Sequence, residues 1–351
     1  MKVDLASLLR PHLLTLKPYT SARDEYSGSE GVFLDANENP FGSITQADYN
    51  RYPDPYQSAL KSEIAQIKGC APTQIFLGNG SDEAIDLLFR AFCNPGKDNV
   101  ILLPPTYGMY GVSASINNVE IRNVALTPDF QLQPEKILAA ADAQSKILFI
   151  CSPNNPSGNA AKREDIQYLL DNFSGIVVVD EAYIDFSSEP SLIQELDQYP
   201  NLLVMQTFSK AWGLASLRLG MAFASPELIA ILNQIKPPYN ISGLTQKTVL
   251  AALPNKGKVE ELIQKIIEER TFLKQELEKL PDVLKIHPSD ANFLLVQVPD
   301  ANRFYEGLIE EKVIVRNRST VLHCEGCLRI TVGTRDETLA LLQAFEKIAT
   351  N

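Results

Sequence analysis

Seven short apolar runs punctuate the middle of the chain: Ile75 to Leu77, Val100 to Leu103, Val119 to Val124, Ile147 to Ile150, Ile176 to Val179, Leu202 to Gln206 and Met221 to Ala224. Amphipathic patterns of helical period fall between many of them, for example Asp82 to Cys93 and Lys162 to Asn172. Short apolar strands alternating with such helices predict an α/β fold, a mostly parallel sheet covered by helices on both faces. Ligands of such sheets bind beyond the carboxyl ends of the strands. From Val259 to Leu280 the apolar residues follow three-four spacing, which predicts one long helix stopped by Pro281. Beyond it, strand Asn292 to Val298, helix Arg303 to Glu311, strands Val313 to Arg316 and Cys327 to Val332, and helix Asp336 to Ile348 read as a small α/β unit. Residues 17 to 58 lack a period and are rich in proline and Asx turns, so they read as a loop or arm. Met1 to Leu16 reads as a short amphipathic helix ending near Arg10. The expected organisation is an arm with part of the small domain over 1–40, a large domain over 41–257, and a small domain over 258–351 entered through the long helix 259–280.

Composition narrows the classes. A chain of 351 residues holds one large domain and a smaller one, and 45% hydrophobic with 21% charged residues is ordinary globular usage. A net charge of -11 opposes nucleic-acid binding. No run approaches the ~20 apolar residues of a membrane span. Asp4, Arg10 and Pro11 interrupt the N-terminus and make it a poor signal peptide, so the cytoplasm is expected. The five cysteines include one Cys-x-x-Cys, Cys324 and Cys327, without a second pair and with only His323 adjoining. Zinc needs more ligands and a redox motif would open a helix, so free structural thiols and no metal are expected.

The candidate chemistry lies at the strand ends. After Leu202 to Gln206 come Thr207, Ser209 and Lys210, with Arg218 eight residues further on. The lysine can form an imine with an aldehyde, and the hydroxyls and arginine can hold a phosphate of the same molecule. Pyridoxal 5'-phosphate (PLP) carries both groups. A solvated lysine and a surface-paired arginine are the plain alternative for this stretch taken alone. After Ile75 to Leu77, Gly78-Asn79-Gly80-Ser81-Asp82-Glu83 opens a helix, which suits a phosphate cradle. It equally suits a simple turn capped by Ser81. It lacks the dinucleotide spacing and the nucleotide-binding lysine. Asn155, between a strand and Pro156, can donate to a phenolate oxygen, and so can Tyr183. Asp180 closes a buried strand, where a carboxylate needs a partner; a protonated pyridine nitrogen is a suitable one. Four strand ends thus supply phosphate donors, a phenolate donor, an acid and an imine lysine.

Together, Gly80-Ser81-Asp82-Glu83, Ser152-Pro153-Asn154-Asn155-Pro156-Ser157-Gly158, Asp180-Glu181-Ala182-Tyr183 and Ser209-Lys210 with Arg218-Leu219-Gly220 resemble the fold-type I PLP-dependent aminotransferases. Leu34 to Pro40, Arg51-Tyr52-Pro53-Asp54, Pro105 to Tyr110 and Leu328 to Thr334 are similar to the histidinol-phosphate aminotransferase subgroup, and the resemblance covers nearly the whole chain. It implies amino transfer between histidinol phosphate and 2-oxoglutarate, giving imidazole acetol phosphate and glutamate, in histidine biosynthesis. By resemblance, Lys210 is the Schiff-base lysine, Asp180 pairs with the ring nitrogen, and Asn155 and Tyr183 hold the phenolate oxygen. Tyr107 stacks on the ring, while Ser81, Asp82, Thr207, Ser209 and Arg218 bind the cofactor phosphate. Tyr52 reaches the neighbouring site of a homodimer. Arg329 grips an anionic substrate group, and Tyr19, Arg23, Asn39 and Arg316 shape the substrate pocket. Ser157, Trp212 and Ser216 stand where threonine, phenylalanine and glycine are commoner, and none of these changes removes a reacting group. Two other readings stay open. One is a different PLP reaction on the same fold, an aromatic or broad aminotransferase or a phospho-amino-acid decarboxylase. The other is a PLP-binding regulator, which the acidic charge and short N-terminal arm oppose.

Overall fold

The computed structural model describes residues 4–17, 30–45 and 47–350. All seven apolar runs form strands: β1 Ile75–Asn79, β2 Asn99–Leu102, β3 Glu120–Asn123, β4 Ser145–Cys151, β5 Ile176–Asp180, β6 Leu202–Thr207 and β7 Leu219–Ala224. They make one sheet in the order β1-β7-β6-β5-β4-β2-β3. β7 runs antiparallel to both neighbours, and the pairs from β6 to β3 are all parallel.

Side chains alternate across a strand, so each strand feeds two cores. Ile75, Leu77, Val177, Val179, Leu202 and Val204 face one core, packed under helices Ser58–Lys68 and Arg163–Asn172. Phe76, Ile176, Val178, Leu203 and Met205 face the other, under helices Ser81–Phe92 and Pro226–Ile235. Burial on both faces explains why these strands read as continuous apolar runs rather than alternating ones.

The second sheet is antiparallel, in the order β10-β11-β9-β8, with β8 Lys285–Ile286, β9 Phe293–Gln297, β10 Arg316–Asn317 and β11 Cys327–Thr331. Leu294, Val296, Leu328 and Ile330 bury one face against helices Ala301–Glu310 and Arg335–Thr350. Phe293, Leu295 and Cys327 turn the other way and join the first core. That continuity places the small sheet against the cleft end of the large one.

Some boundaries moved. The run from Val313 enters the sheet only at Arg316, because the Val313 N–H donates to the Leu308 carbonyl at 2.8 Å and closes the preceding helix. The long helix spans Lys256–Leu277. Only Leu273 and Leu277 of its apolar face are buried, while Leu262 is exposed. The N-terminus forms a helix over Leu5–Leu8 and a 3-10 turn over Pro11–Thr15. All five cysteines are free. Among the described residues no helix is long and apolar enough to cross a membrane, and no group of three acidic, histidine or cysteine side chains is placed to hold a metal.

Candidate active site

The carboxyl ends of β1, β4, β5 and β6 open into one cleft with about 580 Å³ of empty volume. It is lined by Gly80, Ser81, Asp82, Tyr107, Cys151, Asn155, Asp180, Ala182, Tyr183, Thr207, Ser209, Lys210 and Arg218. Four separate motifs of the sequence therefore converge on one space.

One end is built to receive an anion. Gly80, at φ +69°, turns β1 into helix Ser81–Phe92, whose first turn has no side-chain cap. Ser81 is therefore the first helical residue, not the cap. Free N–H groups and the positive end of the helix dipole face the cleft. Arg218, in the left-handed region at φ +53°, accepts the Gly80 N–H on its carbonyl at 2.8 Å. Its guanidinium lies over Gly80, 2.8 Å from where a Cβ would stand, and 4.0 Å from the Asp82 carboxylate. The Thr207 hydroxyl accepts the Ser209 N–H at 3.1 Å, which fixes the loop leading to Lys210. Behind the turn, Glu83 accepts the Asn79 N–H at 2.6 Å, and Asn240 donates to the Leu77 carbonyl at 2.9 Å.

Gly220 in β7 makes this approach possible. A Cβ there would lie 2.2 Å from both the Gly80 carbonyl carbon and the Ser81 nitrogen. Those atoms are backbone and cannot rotate away. Gly220→Ala is therefore expected to cost ~1–3 kcal/mol or more of stability, as overpacking does, and to displace the Ser81 turn. Chemical denaturation checks it: an unchanged midpoint would mean that β1 and β7 are less tightly apposed than this.

The cleft floor holds an acid. Asp180 closes β5 and is buried; Tyr110 donates to its Oδ2 at 2.6 Å and the Ala182 N–H donates to its Oδ1 at 3.1 Å. Burial pushes its carboxyl up to about 6, against the opposing pull of these two bonds. Tyr107 stands at the wall with its hydroxyl donating to Asp82 at 3.3 Å; burial and that carboxylate push it up to about 12. Lys210 Nζ lies 5.6 Å from the centre of the Tyr183 ring. Burial lowers the Lys210 pKa, and Arg329 adds to the lowering. Desolvation likewise raises the Tyr183 phenol.

Arg329 reaches across from β11. It donates to Asn155 Oδ1 at 2.5 Å, and its guanidinium lies 5.3 Å from the centre of the Phe293 ring. The bond turns the Asn155 amide so that its NH₂ is left to donate elsewhere. The Arg329 Nε is buried without a partner. Register pairs Arg316 with Arg329, and the Arg318 N–H continues the ladder to the Cys327 carbonyl at 2.8 Å. Arg318 Nε is also buried without a partner. Like charges opposite one another are unfavourable unless an anion joins them.

Ten residues named from the sequence thus meet in the cleft: Ser81, Asp82, Tyr107, Asn155, Asp180, Tyr183, Thr207, Ser209, Lys210 and Arg218. Arg329 borders it through Asn155. Arg316 and Asn39 are exposed and do not line it. Tyr52 stacks on Tyr239 at 4.5 Å and lines a separate groove. Tyr19 and Arg23 lie outside the described residues. Two residues were given no role from the sequence, Tyr110 and Arg318. Tyr110 stood inside a quoted motif, but nothing in its spacing from Tyr107 marks which tyrosine goes beneath the cleft. Strand alternation from Arg316 could have flagged Arg318.

Comparison with known proteins gives the family. The family described as "Aminotransferase class I and II" matches residues 30–345. A histidinol-phosphate aminotransferase of Cytophaga hutchinsonii is 54% identical over 346 residues, 99% of each chain. One from Parabacteroides distasonis is 53% identical over 345 residues, 98% of this chain and 99% of that one. Among solved structures, the histidinol-phosphate aminotransferase of Sinorhizobium meliloti, in complex with pyridoxal 5'-phosphate, superposes with a TM-score of 0.79 at 24% identity, covering 90% of both chains. That of Clostridium acetobutylicum gives 0.80 at 22%, covering 86% of this chain and 92% of that one. The chain belongs to the class I and II aminotransferases, within the histidinol-phosphate aminotransferase family.

Proposed function

We propose that this protein transfers the amino group of histidinol phosphate to 2-oxoglutarate, giving imidazole acetol phosphate and glutamate, in L-histidine biosynthesis. The observation that carries the reading is full-length likeness, 54% over 346 residues, to a protein of that name. The cleft agrees with it.

PLP fits the residues present. The uncapped helix start at Ser81 and Asp82, with Thr207, Ser209 and Arg218, suits a phosphate. Asp180 is a buried carboxylate that needs a cationic partner, which a protonated ring nitrogen provides. Asn155 and Tyr183 are the donors for the phenolate oxygen, and Tyr107 is the ring for stacking. When bound, PLP supplies an aldehyde for the amine and a ring that accepts the electron pair left as the α-proton departs.

The chain supplies positioning and proton transfer. Lys210 Nζ takes the α-proton as base and returns it as acid, and burial lowers its pKa in the direction that favours the neutral amine. Asp180 holds the opposite charge at the ring nitrogen. Arg329, with its free Nε, grips the carboxylate of glutamate and the phosphate of histidinol phosphate in turn, since a planar guanidinium suits both. Arg318 and Arg316 add positive charge on the same strand face, and Arg23, Tyr19 and Asn39 are assigned to the substrate by the family resemblance alone.

The working molecule is a cytoplasmic homodimer with Tyr52 reaching the neighbouring site. Val32 and Leu34 on the arm and Phe41 and Ile44 just beyond it are exposed, and a second copy would cover them. The arm over 1–40 and the units over 41–257 and 258–351 are taken as its domains.

Titrating the PLP-loaded protein with histidinol phosphate, without keto acid, tests the reading. The visible band of the loaded protein should give way to the near-ultraviolet band of the aminated cofactor at low donor concentration. A band that yields only to phenylalanine or tyrosine would move the assignment to an aromatic aminotransferase, and release of carbon dioxide would move it to a decarboxylase.

A further inference from the structure

Asp180 is held by a residue that does not itself line the cleft. Tyr110 lies on helix Met109–Ile116 and is fully buried. Its ring stacks on Phe149 of β4 at 4.7 Å, with 16° between planes. Its other aromatic contact is Tyr107, met edge-on at 5.5 Å and 83°, and the Cys151 thiol also lies against it. From this position the hydroxyl reaches under the cleft floor and donates to Asp180 Oδ2 at 2.6 Å. The Ala182 N–H fixes the other oxygen. The carboxylate is thus held by one donor on each oxygen.

We propose that Tyr110 is a positioning residue: its hydroxyl proton holds Asp180 in one orientation and as an anion, and its ring sets the plane of Tyr107. This rests on the reading of Asp180 as the partner of the ring nitrogen. The charge on Asp180 is contested. Burial opposes it, and so does the negative charge of Asp82 at the start of helix Ser81–Phe92. Lys210, from the loop after β6, favours it. The phenols of Tyr107 and Tyr183 and the Cys151 thiol are the other titratable groups here, and all three are pushed up, so they stay neutral at ordinary pH. Among the influences that favour the ionised form, the Tyr110 bond is the largest. Removing that donor leaves Asp180 Oδ2 buried without a partner, and its proton affinity rises.

Tyr110→Phe keeps the ring and its two aromatic contacts and deletes only the hydroxyl. Two readouts are followed: binding of PLP to the apoprotein against pH, and the acid limb of kcat/KM of the loaded enzyme. The acid limb should move up by about one to two pH units, the scale of one hydrogen bond to a charged group. PLP affinity should fall about tenfold or more near pH 6.5 and recover largely by pH 8.5, where Asp180 ionises again. Phe149→Leu is the companion variant. It loosens the packing of Tyr110 but leaves its hydroxyl, and should lower Tm without moving the limb. An unmoved limb in Tyr110→Phe, or a loss of affinity equal at both pH values, would make Tyr110 a packing residue only and overturn the proposal. Failure of the unaltered apoprotein to bind PLP would strike the reading of the cleft itself, which separates the two.

Discussion

Lys210→Ala should leave the chain folded and reduce amino transfer by at least about three orders of magnitude, the upper part of the range for a positioned general base. The side chain follows a loop fixed by Thr207 and Ser209, and its amine has no hydrogen-bond partner to lose among the described residues. Nothing in the core depends on it, so Tm should change little. Its pKa shift points the same way: desolvation and Arg329 lower it, which favours the neutral amine that takes a proton. Single-turnover kinetics with histidinol phosphate give the rate, and thermal unfolding gives the control. Turnover near that of the unaltered enzyme would remove Lys210 from the reaction and leave the cleft without a base at the stated place.

Asp180→Asn should have opposite effects on the empty and the loaded protein. In the folded chain the carboxyl is raised from 3.8 to about 6, chiefly by burial. A group raised on folding contributes its stability below the unfolded value, and loses it as pH climbs through the folded one. Relative to the unaltered chain, the asparagine variant of the apoprotein should therefore gain stability between pH 4 and 6 and keep that gain at neutral pH. Its amide oxygen can still accept from Ala182, while its NH₂ can donate to the Tyr110 hydroxyl. Cofactor binding should move the other way. Losing one partner of a buried charge pair costs ~3–5 kcal/mol, or about two to four orders of magnitude in affinity. Denaturation of the apoprotein across pH and equilibrium PLP binding test the two halves separately. Unaltered PLP affinity would mean that Asp180 does not face the ring nitrogen.

Much of the large sheet could be read from the chain because burial on both faces leaves a strong mark. Ile176 to Val179 and Leu202 to Gln206 have no polar alternation, and both became central strands within a residue or two of their expected ends. The strand from Val313 was harder. Its first residues close a helix rather than pair, and nothing in Val313 to Val315 distinguishes an apolar strand from an apolar helix exit. The long helix kept its length but not its burial, since three-four spacing shows that a face can be covered, not that something covers it.

The sequence by itself determined the chemistry. A lysine among hydroxyls, a carboxylate ending an apolar strand, and glycines before a helix each state a requirement in their residue type. Tertiary structure decided which of the remaining groups serve them. Tyr107 and Tyr110 are three residues apart, one before helix Met109–Ile116 and one in its first turn, and the packing on Phe149 places the second beneath Asp180. Arg329 and Asn155 are 174 residues apart, and only the small sheet's position on the first core joins them. Gly220 looks like any strand glycine until the Gly80–Ser81 turn passes within 2.2 Å of its missing Cβ. The physical reason is common to all three. Composition and period report how a residue meets solvent and its near neighbours along the chain. Contacts between distant segments depend on how whole elements pack, and the local sequence carries little of that.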